Sequence, residues 1–134
     1  MNLKQQSVGA LMTSNIVTIA PGQTLRAAAV LMHQHHIHCL LVPAREPQRC
    51  AGIITIKDIV QVLCEGDPAL LDQLTVEDAM TSPALTVQRD FSIADCLRLM
   101  RMSGVRSAPV LEGTKLVGLL SFSDVLRAVA QGDA

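Results

Sequence analysis

The chain has no tryptophan and no tyrosine, and phenylalanine occurs twice in 134 residues. It therefore lacks the aromatic platforms on which single-stranded nucleic acids usually stack. Excess positive charge is missing too. Eleven Lys and Arg stand against 12 Asp and Glu, a formal charge of −1, so no basic footprint points to a nucleic-acid polymer. No apolar run approaches the roughly 20 residues that cross a bilayer, and no N-terminal apolar segment of the secretory kind is visible. The four cysteines, Cys39, Cys50, Cys64 and Cys96, form no C-x-x-C pair. They read as reduced thiols, and the expectation is a cytoplasmic protein without membrane insertion.

What is present is aliphatic. Apolar residues make up 49% of the chain, so a core must be assembled from Leu, Ile, Val, Ala and Met. The length suits one domain of ordinary size. Within it the sequence is duplicated: Val8-Gly9-Ala10-Leu11-Met12-Thr13-Ser14 returns 68 positions later as Val76-Glu77-Asp78-Ala79-Met80-Thr81-Ser82. Gly52-Ile53-Ile54-Thr55-Ile56-Lys57-Asp58-Ile59 answers to Gly118-Leu119-Leu120-Ser121-Phe122-Ser123-Asp124-Val125 after a two-residue slip. A long period present only twice implies two similar units about a pseudo-twofold axis rather than a solenoid. Repeats of this size are expected to share one core, and a binding site is expected in duplicate.

Each repeat reads as strand, helix, strand, strand, helix. Ile16 to Ile19 is a short β-branched run closed by Pro21-Gly22. Thr24 is an N-cap for a helix from Leu25 to about His35, whose Leu25, Ala28, Ala29, Leu31 and Met32 form one stripe. His38 to Val42 and Ala51 to Thr55 are strands joined by a polar loop over 44–49, and Asp58 to Cys64 is helical. In the second copy Leu85 to Val87 is the short strand, and Ser92 to Asp95 has capping-box spacing before a helix to about Met102. Ser107 to Leu111 and Lys115 to Leu120 are joined by the hairpin signal Glu112-Gly113-Thr114, and Ser123 to Ala130 closes the unit. Val8 to Met12 and Val76 to Met80 read as short lead-in helices. The expected organisation is repeat 1 over 8–66, a linker over 67–75 and repeat 2 over 76–130. The last helix of each repeat is apolar over more than one face, through Ile59, Val60, Val62 and Leu63, and through Val125, Leu126, Ala128 and Val129. That width predicts a homodimer.

The short strands, the buried Leu40-Leu41-Val42 and Ala108-Pro109-Val110, and above all the glycine-led runs ending at Asp58 and Asp124 resemble a tandem pair of cystathionine-β-synthase (CBS) domains, the Bateman module. The resemblance covers about residues 8–130. It implies an α/β (α+β) fold of two β-α-β-β-α CBS repeats packed through their sheets. It also implies a non-catalytic regulatory sensor that binds AMP, ADP, ATP or S-adenosylmethionine in clefts between the repeats and acts on an effector protein. No cofactor is required; the adenine nucleotide or S-adenosylmethionine is the regulatory ligand. By position, one cleft would use Asp124, Ser121, Leu119 and Arg106 with Met12, Val17, Ile37 and His38. Its mate would use Asp58, Thr55 and Ile53 with Met80, Leu85, Val105, Arg106 and His38.

Residue type assigns the roles. A carboxylate accepts both cis-hydroxyls of a ribose, which suits Asp58 and Asp124. Thr55 and Ser121 bind sugar or phosphate oxygens, the aliphatic residues wall the base, and Arg106 offers a fork to phosphate. Other readings compete. Thr55 with Asp58 and Ser121 with Asp124 are also helix capping boxes. His33, His35, His36 and His38 invite a metal, but no thiolate pair joins them and His35 points away from the face shared by His33 and His36. An enzyme is a remote reading, since Cys39 and His38 are adjacent in a strand and point to opposite faces. A ligand-free dimerisation or docking module is the alternative to the sensor.

Overall fold

The computed structural model describes residues 2–44 and 50–132. After a 3-10 turn at Leu3–Gln5, the elements in chain order are α1 (Val8–Leu11), α2 (Leu25–His35), β1 (Cys39–Pro43), β2 (Cys50–Thr55) and α3 (Ile56–Glu65). They continue with α4 (Leu70–Gln73), α5 (Val76–Ala79), β3 (Val87–Gln88), α6 (Ile93–Ser103), β4 (Ser107–Glu112), β5 (Lys115–Ser121) and α7 (Phe122–Ala130). The chain divides into a continuous unit, Val17–Ala84, and a discontinuous unit made of Met1–Ile16 with Leu85–Ala134.

In the continuous unit β1 and β2 form an antiparallel pair, with Leu40 opposite Ile54 and Leu41 opposite Ile53. The Thr24 hydroxyl accepts from the Ala27 N–H at 3.1 Å, the expected cap of α2. That helix ends where His36 takes the left-handed conformation, φ 54°. The apolar stripe of α2 then does what its spacing predicts: Leu25, Ala28 and Met32 pack with Leu40, Val42, Ile54 and Ile59. Burying one such Leu or Ile side chain contributes about 1.5 to 3 kcal/mol. The short strand expected at Ile16 to Ile19 shrinks to one parallel bridge, Thr18 to Leu41. Pro21 follows at once and turns the chain into α2, so no longer ladder develops. Residues 67–75, expected as a linker, carry α4. Leu71 is buried in this unit's core, and Arg26 grips Asp72 through Nε to Oδ1 at 2.6 Å. Those hydrogen bonds hold the Asp72 carboxyl below the usual carboxylate range. Of the polar loop expected over 44–49, residues 45–49 lie outside the described residues.

The discontinuous unit holds a three-stranded sheet in the order β3-β4-β5. Its first strand is parallel to β4, and β4 pairs antiparallel with β5 from Ser107 opposite Ser121 to Glu112 opposite Lys115. The hairpin turns at Gly113, whose φ of 64° favours a residue without Cβ. The expected short strand begins two residues late, at Val87. Ser92 caps α6 by accepting from the Asp95 N–H at 3.1 Å, while the Asp95 carboxylate faces Arg98 at 3.9 Å. The first residues of the chain are stitched in by backbone bonds. Val8 N–H donates to Phe91 O at 2.8 Å, Gly9 N–H to Arg89 O at 2.9 Å, and Ile93 N–H to Gln6 O at 2.8 Å.

The buried apolar residues include one cluster within each unit. One buried cluster contains Val8, Val87, Ile93, Cys96, Met100, Ala108, Val110 and Leu120, all of the discontinuous unit. A second contains Leu25, Leu40, Val42, Ile54, Leu71 and Val76, all of the continuous unit. Each unit reaches an adequate core by combining its sheet and two longer helices with a lead-in helix, α1 or α5.

Candidate functional site

In both units the last strand, β2 or β5, runs without a break into a helix, and the junction is polar. Thr55 is extended, φ −120°, and caps α3. Its N–H and Oγ1 donate to Asp58 Oδ2 at 2.8 and 3.0 Å, and the Asp58 N–H returns to Thr55 Oγ1 at 3.4 Å. Ile56 N–H donates to the His38 carbonyl at 3.0 Å, which fixes the start of β1 beside the first turn of α3. His38 and Lys57 are exposed and Asp58 is half-buried.

The second junction repeats this geometry. Ser121, φ −119°, caps α7. Asp124 Oδ2 accepts from Ser121 N and Oγ at 2.8 and 3.0 Å, and Asp124 N–H donates to Ser121 Oγ at 3.3 Å. Phe122 N–H donates to the Arg106 carbonyl at 3.0 Å. Arg106 is exposed, and its guanidinium has no partner among the described residues. Asp124 differs from Asp58 in its second oxygen. Oδ1 accepts from Thr13 Oγ1 at 3.0 Å and from Arg127 Nη2. It is the buried charged residue among the described residues, 5% exposed.

Glycine lets the lead-in segments reach these strands. Thr13 and Leu119 exchange backbone bonds at 2.9 Å in each direction, as Thr81 and Ile53 do at 2.9 and 3.1 Å. A Cβ on Gly118 would lie 2.9 Å from Thr13 O and 2.6 Å from Met12 Sδ; one on Gly52 would lie 2.8 Å from both Thr81 O and Met80 Sδ. Met12 and Met80 are thereby held against the strands that carry Leu119 and Ile53.

The residues expected at the site thus fall into two sets. Met12, Leu85, Val105, Arg106, Leu119, Ser121 and Asp124 belong to the discontinuous unit, and Val17, Ile37, His38, Ile53, Thr55, Asp58 and Met80 to the continuous one. Sequence reasoning missed Thr13 and Arg127. The Asp-x-x-Arg spacing along α7 was a usable signal for Arg127, whereas Thr13 lies 111 positions from its partner.

Two apolar grooves lie apart from the carboxylates. One of about 460 Å³ in the continuous unit is lined by Ile37, His38, His33, Ile56, Ile59 and Val60, among others. Another of about 420 Å³ in the discontinuous unit is lined by Leu97, Phe122, Val125, Leu126 and Val129, with Ser123. His33 and His36 meet edge to face at 6.4 Å, and no group of three metal-binding side chains converges among the described residues. No helix among those residues is long and apolar enough to cross a membrane.

Two units of one grammar, each ending in a hydroxyl and carboxylate cap beside a basic residue, define a duplicated α/β module. The CBS domain profile matches residues 8–65 and 76–131, and the chain belongs to the CBS domain family. It is 28% identical over 120 residues to the CBS domain-containing protein YhcV of Bacillus subtilis, covering 89% of this chain and 82% of that protein. Against protein MK0525 of Methanopyrus kandleri the identity is 28% over 127 residues, 93% of this chain and 63% of the relative's length. Among solved structures, it resembles a putative signal-transduction protein with CBS domains from Burkholderia ambifaria, with a TM-score of 0.83 and 28% identity, over 96% of this chain and 97% of that one.

Proposed function

We propose that the chain is a non-catalytic regulatory module that binds an adenosine-containing ligand, AMP, ADP, ATP or S-adenosylmethionine. The observation that carries this reading is the strand-to-helix junction in which a hydroxyl and a carboxylate cap a helix whose first turn is held by the backbone carbonyl of an exposed basic residue, Thr55 and Asp58 with His38, and Ser121 and Asp124 with Arg106. A carboxylate accepts ribose hydroxyls, and an unpaired guanidinium meets phosphate in a bidentate fork. The CBS pair of protein MJ0100 is solved in complex with 5′-methylthioadenosine and S-adenosyl-L-methionine, so the fold accommodates adenosyl compounds; at 22% identity it speaks for the fold alone. Ligand binding to the native state would transmit to an effector protein by shifting stability and conformation.

The test is titration calorimetry of the full chain with each of these four compounds. Saturable heat with any of them supports the sensor. Silence with all four favours the second reading, a dimerisation or docking module, which draws its own support from the apolar grooves along α3 and α7. Under either reading the expected assembly is a homodimer that covers these faces, where Val60 is 47% and Leu126 68% exposed.

A further inference from the structure

The two carboxylate junctions are chemically unequal. An ionised carboxylate offers about four acceptor positions. At Asp124 all are engaged: Oδ2 by Ser121 N and Oγ, Oδ1 by Thr13 Oγ1 and the Arg127 guanidinium. At Asp58 only Oδ2 is engaged, by Thr55 N and Oγ1, and Oδ1 has no hydrogen-bond partner among the described residues. The difference comes from one substitution between the repeats and one threonine that is conserved in type but bonded differently. Gln61 occupies the place of Arg127 and donates to Glu65 at 3.2 Å. Thr81 occupies the place of Thr13, yet its hydroxyl makes no hydrogen bond among the described residues.

We propose that Thr13 and Arg127 close the Asp124 carboxylate to ligand, so that Asp58 alone accepts the ribose diol and the chain binds one adenosyl ligand. This rests on the adenosyl-ligand reading above. A diol at Asp124 would have to displace a hydroxyl and a cation. It would return two neutral donors for one neutral and one charged donor, and charged hydrogen bonds are the stronger ones. The loss corresponds to roughly tenfold or more in affinity. At Asp58 the diol meets an oxygen that has no partner to displace among the described residues.

The experiment is calorimetry of the full chain with AMP, ATP and S-adenosylmethionine as separate probes, each variant's unfolding midpoint being recorded alongside. Wild type is expected to bind one equivalent. Asp58→Asn, which keeps an oxygen for the Thr55 cap, is expected to lose about tenfold or more in affinity. The double variant Thr13→Val with Arg127→Gln, which leaves the Asp124 carboxylate and its cap in place, is expected to gain a second equivalent. Two equivalent sites in wild type, undiminished affinity in a folded Asp58→Asn chain, or a single equivalent in the folded double variant would each overturn the closure of Asp124. Absence of binding by wild type is a different failure: it overturns the sensor reading itself, and this inference with it.

Discussion

Arg127 donates to Asp124 from one turn further along α7, while Gln61, three residues after Asp58, turns away to Glu65. The two capping carboxylates therefore carry different shares of stability. Asp124→Ala removes a buried charge that answers a backbone N–H, two hydroxyls and a guanidinium, and is expected to cost about 2 to 4 kcal/mol. Asp58→Ala removes a half-buried cap and is expected to cost about 1 kcal/mol. Urea unfolding monitored by circular dichroism measures both. Equal losses would mean that Thr13 and Arg127 add nothing to the fold.

The close approach of the lead-in segments predicts a contrast among glycines. Gly118→Ala and Gly52→Ala set a methyl group within 3 Å of a backbone oxygen, 2.9 Å from Thr13 O and 2.8 Å from Thr81 O, and each is expected to destabilise by about 1 to 3 kcal/mol. Gly22→Ala meets nothing within 4 Å and is expected to stay within about 0.5 kcal/mol of wild type. Thermal unfolding of the three variants decides the matter.

Burial pushes the Cys96 thiol above its ordinary range. The unfolded thiol ionises at the usual pH while the native one stays protonated. Its contribution to stability is therefore complete below the unfolded pKa and declines as pH rises above it toward the native value. In a Cys50→Ser background, a thiol reagent at pH 8 is expected to modify exposed Cys64 quickly and buried Cys39 and Cys96 only on unfolding. Stability measured from pH 8 to 10 is expected to fall less steeply in Cys96→Ala than in its parent. Identical slopes would remove Cys96 from the account.

Arg106, expected from the sequence in the Asp58 cleft as well as in its mate, tests the phosphate assignment. Arg106→Ala is expected to weaken ATP more than AMP, to leave adenosine nearly unchanged, and to flatten the salt dependence of binding as a screened charge contact disappears. A uniform loss across the three ligands would make Arg106 a wall of the pocket.

The apolar faces predict the assembly. Light scattering at micromolar concentration is expected to give the mass of a dimer, and Val60→Asp combined with Leu126→Asp the mass of a monomer with an unchanged circular dichroism spectrum. A monomeric wild type would sink the homodimer.

Much of the framework was readable in advance because local chemistry decides it. Thr24 precedes an apolar stripe and caps α2; Gly113 sits where the hairpin demands positive φ; Thr55 and Ser121 stand three residues before the carboxylates that complete their boxes. What escaped the reading depends on partners distant in sequence. In a duplicated sequence Val8 and Val76 look alike, and nothing local says which core each enters; the bonds from Val8 to Phe91 and from Val76 to Gln23 decide it. Thr13 escaped for the same reason, since its hydroxyl is ordinary until Asp124 is placed beside it. α4 escaped because four residues carry too little periodicity to register.

The assignment of residues 1–16 to the unit completed by residues 85–134 has a consequence for the order of events on the ribosome. The continuous unit, Val17–Ala84, can close as soon as its own residues have emerged, because every partner in its core is already made. The discontinuous unit must hold Val8 and Leu3 without a core until Val87, Ile93 and finally Ala128 appear, and then close a loop that already contains a folded body. Long-range closure of this kind slows folding. α1, made well before the core it enters, is thus expected to dock late, and until then its buried Val8 is exposed to the solvent or a chaperone.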